Sequence, residues 1–422
     1  MNSPMSPLSP RLVSVSAAAK FRNRIPTQLR RVIALYLACV CILLIVLNID
    51  LMPAVPSAKG VFKHRIVPRR PLKSEVPRTF PRKIWQTWKI DPLSFEERDS
   101  IVARSWTTKN LVYRYEVLTD SNDMNYVEQH FGPHGFNRMD IVELYRSVNA
   151  TIIKADLLRY LIMYAEGGVY ADIDVEALRP VHKFIPERYD ESDIDMVVGV
   201  EIDQPQFEDH KILGKKSQSF CQWTFMAKPR LPVMLKLVEN IKNWLIDIAK
   251  KQNVPVGEVM LDFDQVISGT GPSAFTVSIL EEMNERTGGG TITWDDFHDL
   301  DESKAVGGIL VLDIESFAAG QGHSDSGNHN ARGALVKHHY HASNWPSRHP
   351  RYSHPVYGEV ERCNWNAECI RKWDEGVETF GLLSPEEQQK RIDEKKARDN
   401  QPQPDFSPGS GSESRDPNLM PA

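Results

Sequence analysis

Apolar residues recur with helical spacing at Leu157, Leu158, Leu161, Ile162 and Ala165. They predict a helix with one apolar stripe, ending at Gly167-Gly168, because glycine cheaply adopts the left-handed cap conformation. A short β-like run follows and delivers Asp172 and Asp174. A second amphipathic helix is predicted over 231–250 from Leu235, Leu237, Val238, Ile241, Leu245 and Ile248. Met196 to Val200 is a continuous apolar run, as in a buried parallel strand. Lys83 to Thr87, Tyr113 to Leu118 and residues 219–227 also read as strands. Residues 95–104, 121–131 and 272–286 read as helices. Strands alternating with helices predict an α/β fold around a sheet.

The ends of the chain have other patterns. Val32 to Leu47 is sixteen residues without a charge. As a helix that run spans ~24 Å, so it needs Asn48 to Met52, or a thin bilayer, to cross a membrane. It is long for a cleaved signal peptide, starts late, and lacks a small-x-small site after it. The expectation is an uncleaved transmembrane anchor over 32–52. Residues 1–31 carry six Lys/Arg and no acid, which places them on the cytoplasmic side and the bulk of the chain in a lumen. Residues 53–78, rich in Pro and basic residues, read as an extended stem. The folded domain is expected over 79–383. Ser384-Pro385-Glu386-Glu387 is a capping box opening a charged helix to about Asp399. Residues 400–422 have a composition that predicts disorder.

Composition is that of an ordinary globular protein, and 422 residues suffice for one large domain or two moderate ones. Residues 1–73 carry +11, so a total of −5 leaves −16 on the remainder. An acidic body argues against a nucleic-acid partner. Cys39 and Cys41 fall in the membrane segment, as apolar filler or as palmitoylation sites. In an oxidising lumen Cys363 and Cys369 are expected to pair, leaving Cys221 as a buried thiol. Asn149-Ala150-Thr151 is the one N-glycosylation acceptor sequence.

A bare D-x-D is weak evidence, and this chain has three: Asp172/Asp174, Asp193/Asp195 and Asp262/Asp264. A solvated surface pair is the ordinary reading of each. Only the first follows a periodic helix, a Gly-Gly stop and an apolar strand. An α/β sheet places ligand sites at such strand ends. Carboxylates at i and i+2 project to one side of an extended segment, where they suit Mg²⁺ or Mn²⁺ shared with phosphate oxygens.

Five motifs then resemble one family: FPRKIWQTWK (80–89), KADLLRYLIMYAEGGVYADID (154–174), QWTFMAKP (222–229), GTGPSAFT (269–276) and HHYHASNW (338–345). The chain resembles, from about residue 80 to 350, the fungal initiation-specific α-1,6-mannosyltransferases of glycosyltransferase family 32. The resemblance implies a GT-A-like nucleotide-sugar-binding fold with a mixed, mostly parallel central sheet. It implies a Golgi type II membrane enzyme that retains anomeric configuration, uses GDP-mannose with Mn²⁺ (or Mg²⁺), and acts on an N-linked glycan, alone or in a complex with other mannosyltransferases. Sphingolipid mannosyltransferases of the same family, or a non-catalytic luminal subunit, are the alternatives.

By matched position, Asp174 is the expected metal ligand. Asp172 touches the ribose or sugar, and also the metal. Asp156 and Arg159, at i and i+3, hold the donor sugar and diphosphate, the guanidinium fork suiting oxyanions; a plain helical ion pair is the alternative. Trp85 is either a stacking surface for the base or a core aromatic. Thr270 and Gly271 either line the sugar pocket or form the turn that starts the next helix. His339, then His341, is expected to complete the metal shell, although Ala342-Ser343-Asn344-Trp345 departs from the family pattern. Lys228-Pro229-Arg230-Leu231-Pro232 departs from it as well.

Overall fold

The computed structural model describes residues 77–341 and 353–400. The expected tail, anchor and most of the stem, residues 401–422, and Ala342 to Trp345 of the histidine motif lie outside these residues. Among the described residues no helix is long and apolar enough to cross a membrane.

Alternation along the strands builds a sheet with a core on each face. Strand β1 (Lys83–Trp88) leads through helix α1 (Glu97–Lys109) to strand β2 (Arg114–Thr119), which pairs with β1 in parallel. Helices α2 (Asp123–Phe131), α3 (Met139–Ser147) and α4 (Thr151–Ala165) precede β3 (Gly168–Ala171), on the other side of β1. After the short β4 (Val175–Ala177) come β5 (Met196–Asp203), β6 (Gln218–Phe220) and β7 (Thr224–Ala227). Helices α5 (Pro232–Gln252), α6 (Phe263–Gly269) and α7 (Pro272–Arg286) follow, then β8 (Lys304–Val306) and β9 (Ile309–Leu312). The strand order is β2-β1-β3-β7-β5-β9-β8, with β6 also on β5. Strands β1, β2, β3, β5 and β9 share one direction, and β6, β7 and β8 oppose it. The sheet is thus mixed and mostly parallel, as expected.

Tyr170 packs into one core with Leu157, Leu161, Leu237, Ile241 and Phe275 from α4, α5 and α7. Its neighbours Val169 and Ala171 join the other, with Trp106 of α1 and Phe317. Each such buried apolar side chain stabilises the fold by ~1.5–3 kcal/mol. Two expectations are corrected. Helix α4 has more than one apolar stripe: every residue from Asp156 to Met163 is buried, because α5 and the sheet cover different sides of it. The single strand expected over 219–227 is two. Val200 pairs with Phe220, but Val197 pairs with Met226. Cys221 to Trp223 bulge out between the two registers, and this bulge re-aims backbone groups toward α4.

The Gly-Gly stop is confirmed in detail. Gly167 and Gly168 have φ of +63° and +107°. A Cβ on Gly168 would stand 2.5 Å from the Lys83 carbonyl oxygen. Gly168→Ala is therefore expected to lower stability by at least ~2 kcal/mol, from left-handed strain plus the clash with backbone. Thermal unfolding measures this; an unchanged midpoint would refute it.

Near the C-terminus, β11 (Ser353–His354) and β12 (Gly358–Glu359) precede helices α8 (Ala367–Gly381) and α9 (Pro385–Asp399), the latter opened by the Ser384/Glu387 capping box. Cys363 and Cys369 are joined in a disulfide, and Cys221 is a buried free thiol.

Candidate functional site

Strand β3 ends at Ala171, and the chain then turns. The Val175 amide donates to the Asp172 carbonyl at 3.0 Å, so Asp172 to Asp174 form a tight turn. This corrects the expectation of an extended i, i+2 pair: the two carboxylates converge through a turn. Side chains from the sheet hold it. Gln86 Nε2 donates to the Asp172 carbonyl at 2.8 Å, and the Tyr170 hydroxyl donates to Asp172 Oδ1 at 2.8 Å. The Asp172 amide donates to Trp223 O, in the bulge between β6 and β7, at 2.8 Å.

A second, two-stranded sheet supplies the histidine. Strand β10 (Val336–His338) runs antiparallel to β4 and sets His338 opposite Val175. His338 Nε2 lies 3.2 Å from Asp174 Oδ1, and both side chains are buried. One ligand atom from each of Asp172, Asp174 and His338 lies within 4.8 Å of the others. This set could hold a divalent cation: two carboxylate oxygens and an imidazole nitrogen at convergent positions. His338 Nδ1, the ring nitrogen turned away from Asp174, is buried and has no hydrogen-bond partner among the described residues.

His339 and His341 are elsewhere, which corrects the expected ligands. Successive residues of a strand face opposite sides. His339 Nε2 meets Glu176 Oε2 at 3.0 Å, and His341 Nε2 meets Asp99 Oδ1 at 2.8 Å. The prediction is that His338→Ala weakens Mn²⁺ binding by at least ~10-fold, since loss of even an outer-shell partner costs about 10–100-fold, while His339→Ala leaves it unchanged. Electron paramagnetic resonance of free Mn²⁺ reads both, and equal effects would restore His339 as a ligand.

Helix α4 brings Asp156 and Arg159 to the same place. Arg159 Nη2 lies 3.3 Å from Asp156 Oδ1 and 3.2 Å from Asp172 Oδ1. Its Nη1 reaches the Gln222 carbonyl at 3.4 Å, in the same bulge. The guanidinium lies over the Tyr170 ring, 5.2 Å from its centre. Its Nε is buried and has no partner among the described residues. Asp156 is 2% exposed and accepts from Thr270 Oγ1 at 2.7 Å. Burial pushes the Asp156 carboxyl up to about 6, against the pull of Arg159 and then of Thr270. The Asp–Arg pair is thus no solvated helix-surface bridge. It is a buried bridge between α4, the Asp172 turn and α7's entry.

The remaining expected residues sort by burial. Trp85 is 4% exposed, packs edge-on against Tyr126 with centroids 5.9 Å apart, and donates Nε1 to Gly167 O at 3.0 Å. It is a core aromatic; the stacking role is corrected, since nearly all of it is covered. Thr270 is wholly buried and orients Asp156, while Gly271 is the N-cap of α7. Both fit the turn reading, and Thr270 touches the site through Asp156. The other two D-x-D pairs have structural partners. Asp195 is buried against Lys228 and Arg286. Asp262 caps α6, and Asp264 faces Lys216. Asn149 is exposed, and its Nδ2 donates to Gly257 O at 3.0 Å. Sequence reasoning missed His338, Gln222, Tyr170 and Gln86. For His338 a signal existed, since strand alternation in VKHH makes the two histidines inequivalent. For the others none did, because they act through a fold-dependent approach.

Comparisons with known proteins fit this geometry. Residues 96–190 match the family described as "Glycosyltransferase sugar-binding region containing DXD motif", a stretch that holds Asp156, Arg159, Asp172 and Asp174 but not His338. The chain is 32% identical over 286 residues to the initiation-specific alpha-1,6-mannosyltransferase of Schizosaccharomyces pombe, covering 67% of this chain and 68% of that protein. It is 32% identical over 258 residues to the Candida albicans protein of the same name, covering 57% of this chain and 65% of that protein. The matched part spans about two thirds of each relative's length.

Proposed function

This chain belongs to the fungal initiation-specific α-1,6-mannosyltransferase family and is a glycosyltransferase; from that premise we propose that it moves mannose from GDP-mannose to a mannose of an N-linked glycan. In this reading the linkage is α-1,6, the configuration is retained, and the transfer depends on Mn²⁺ in a Golgi lumen, behind a single N-terminal membrane anchor. The observation that carries the proposal is the convergence of Asp156, Arg159, Asp172, Asp174 and His338 from two sheets and one helix upon one place.

The residues divide the work by their chemistry. Asp172, Asp174 and His338 would hold the ion, which when bound neutralises charge on a diphosphate leaving group. Arg159 is fixed on one side by Asp156, Asp172 and the Gln222 carbonyl. Its remaining donors are pre-aligned for oxyanions without reorganisation at the moment of reaction. Asp156, oriented by Thr270 Oγ1, is a buried acceptor suited to a sugar hydroxyl. Positioning an acceptor hydroxyl beside a stabilised leaving group supplies much of the rate in such transfers.

A donor screen tests this reading. The full-length protein, supplied with Mn²⁺ and a mannose-rich N-glycan, is expected to release GDP from GDP-mannose and extend the glycan. Activity with a UDP-sugar instead, or release from no donor, would overturn it.

A further inference from the structure

Beyond His338 the contacts continue into a second polar cluster that the donor site does not use. The Tyr340 ring lies against the His338 ring, with centroids 3.7 Å apart. The Tyr340 hydroxyl donates to Gln321 Oε1 and lies 3.1 Å from His323 Nε2. His323 Nε2 in turn is 3.6 Å from Glu201 Oε1, which accepts from Trp223 Nε1 at 2.8 Å. Trp223 completes the ring of contacts, 4.6 Å from the His338 centroid.

Several features of this cluster are costly unless a ligand uses them. Glu201 is 7% exposed, and its ion-pair partner among the described residues is a histidine, not a lysine or arginine. A carboxylate buried against a histidine and one indole N–H gains little over an apolar side chain in its place. It sits where the pairing of β5 with β6 shifts register between Val200 and Ile202, and such bulges re-aim side chains next to sites. Gln321 is 5% exposed, and its Nε2 has no hydrogen-bond partner among the described residues. The Tyr340 and Ser324 hydroxyls meet its Oε1 and could meet a turned amide nitrogen equally well, so in either orientation one end of the amide lacks a partner among the described residues. Tyr340, with no glycine's freedom, holds φ at +53°, a strain found where function requires it. The cluster is open on one side: Tyr340 and the His323 side chain are each 40% exposed.

A carboxylate, an amide N–H₂ and an imidazole beside an exposed aromatic ring match one ligand class, a neutral polyhydroxyl ring. A diphosphate is excluded by Glu201. The sugar of the donor would lie on the Arg159 side of the DXD turn, whereas this cluster lies past His338. We infer that Glu201, Gln321 and His323 form the subsite for the accepting sugar, with Tyr340 as its platform. The inference rests on the mannosyl-transfer reading for the identity of that sugar. The Trp365 indole donates to the His323 carbonyl at 2.5 Å, which ties the subsite to the disulfide-closed segment after Val360.

Saturation-transfer NMR with methyl α-mannoside as the probe, on the full-length protein, tests binding without turnover. Wild type is expected to give a signal, and Glu201→Gln and Gln321→Leu are expected to lose it. In steady-state assays the same variants should raise the acceptor KM about tenfold or more, as for loss of a hydrogen bond to a charged group, with the donor KM within about twofold. If Glu201→Gln fails to fold by circular dichroism, His323→Ala, on the exposed side, carries the same test. No probe signal in wild type, an unmoved acceptor KM, or a donor KM that rises in step would overturn the assignment. Probe binding that is lost in the variants, in a protein that turns over no GDP-mannose, would sustain the subsite and overturn the proposed function instead.

Discussion

On the proposed function, Asp174→Ala is expected to reduce Mn²⁺-dependent release of GDP from GDP-mannose by at least ~100-fold, equal to ~2.7 kcal/mol of transition-state stabilisation. Asp174 is 1% exposed and its carboxylate oxygen is 3.2 Å from His338 Nε2. Alanine removes one of three convergent ligand atoms and leaves His338 facing a void. The backbone consequence is small, because the Asp174 carbonyl, not its side chain, accepts the His339 amide at 2.9 Å. The turn should therefore persist, and the loss should appear in kcat/KM and in Mn²⁺ affinity with near-native unfolding. Asp172→Ala should be less clean. Asp172 also receives Arg159 and the Tyr170 hydroxyl, so its removal releases the guanidinium as well as the ion. An Asp174→Ala protein with wild-type turnover would remove the catalytic reading of this turn.

Arg159→Ala is expected to lose activity by ~10²–10³-fold and stability by ~3–5 kcal/mol. The second figure is large because Asp156 and Arg159 are 2% and 5% exposed, so solvent cannot compensate the abandoned carboxylate. Arg159→Lys should recover little of the activity, since a point charge does not reproduce a fork that spans Asp156, Asp172 and the Gln222 carbonyl. The pH dependence has a definite sign. Burial already places Asp156 at about 6, above its ordinary value near 4. A carboxyl raised in the folded state binds more protons there than in the unfolded chain. Its contribution therefore falls as pH rises between those two values and is flat above the higher one. Without Arg159 the folded value climbs further, so the falling window extends past 6. The stability deficit of Arg159→Ala should be larger at about pH 7.5 than near pH 5. Melting temperatures at the two pH values decide it; equal deficits would mean that Asp156 stays protonated in both proteins.

How far the site could be read in advance depends on what kind of residue is asked about. Asp156, Arg159, Asp172 and Asp174 lie within one helix–stop–strand segment, so their proximity is a local matter. Helical spacing puts the first two on one face, and the Gly-Gly stop folds the strand back beside them. The same locality made the Ser384 capping box and the end of α4 legible. Errors arose where the partner is distant in sequence. His338 meets Asp174 because β10 pairs with β4 in a register that sets it opposite Val175. A slip of one residue would have brought His339 there instead. Trp85 reads alike as base platform or core; Tyr126 and the Gly167 carbonyl, far along the chain, decide for the core.

The sequence by itself determined that an α/β sheet forms, that the helix at 151–165 ends on glycines, and that two aspartates follow at the strand's end. These rest on periodicity and on backbone conformational limits, which act over a few residues. Only the tertiary structure decided which histidine stands at the aspartates, that they converge through a turn, and that the break between β6 and β7 aims the Gln222 and Trp223 carbonyls at Arg159 and at the Asp172 amide. Those choices depend on strand register and on the packing of segments more than fifty residues apart. No local preference specifies them; they follow from which pairing buries the most apolar surface while satisfying the backbone.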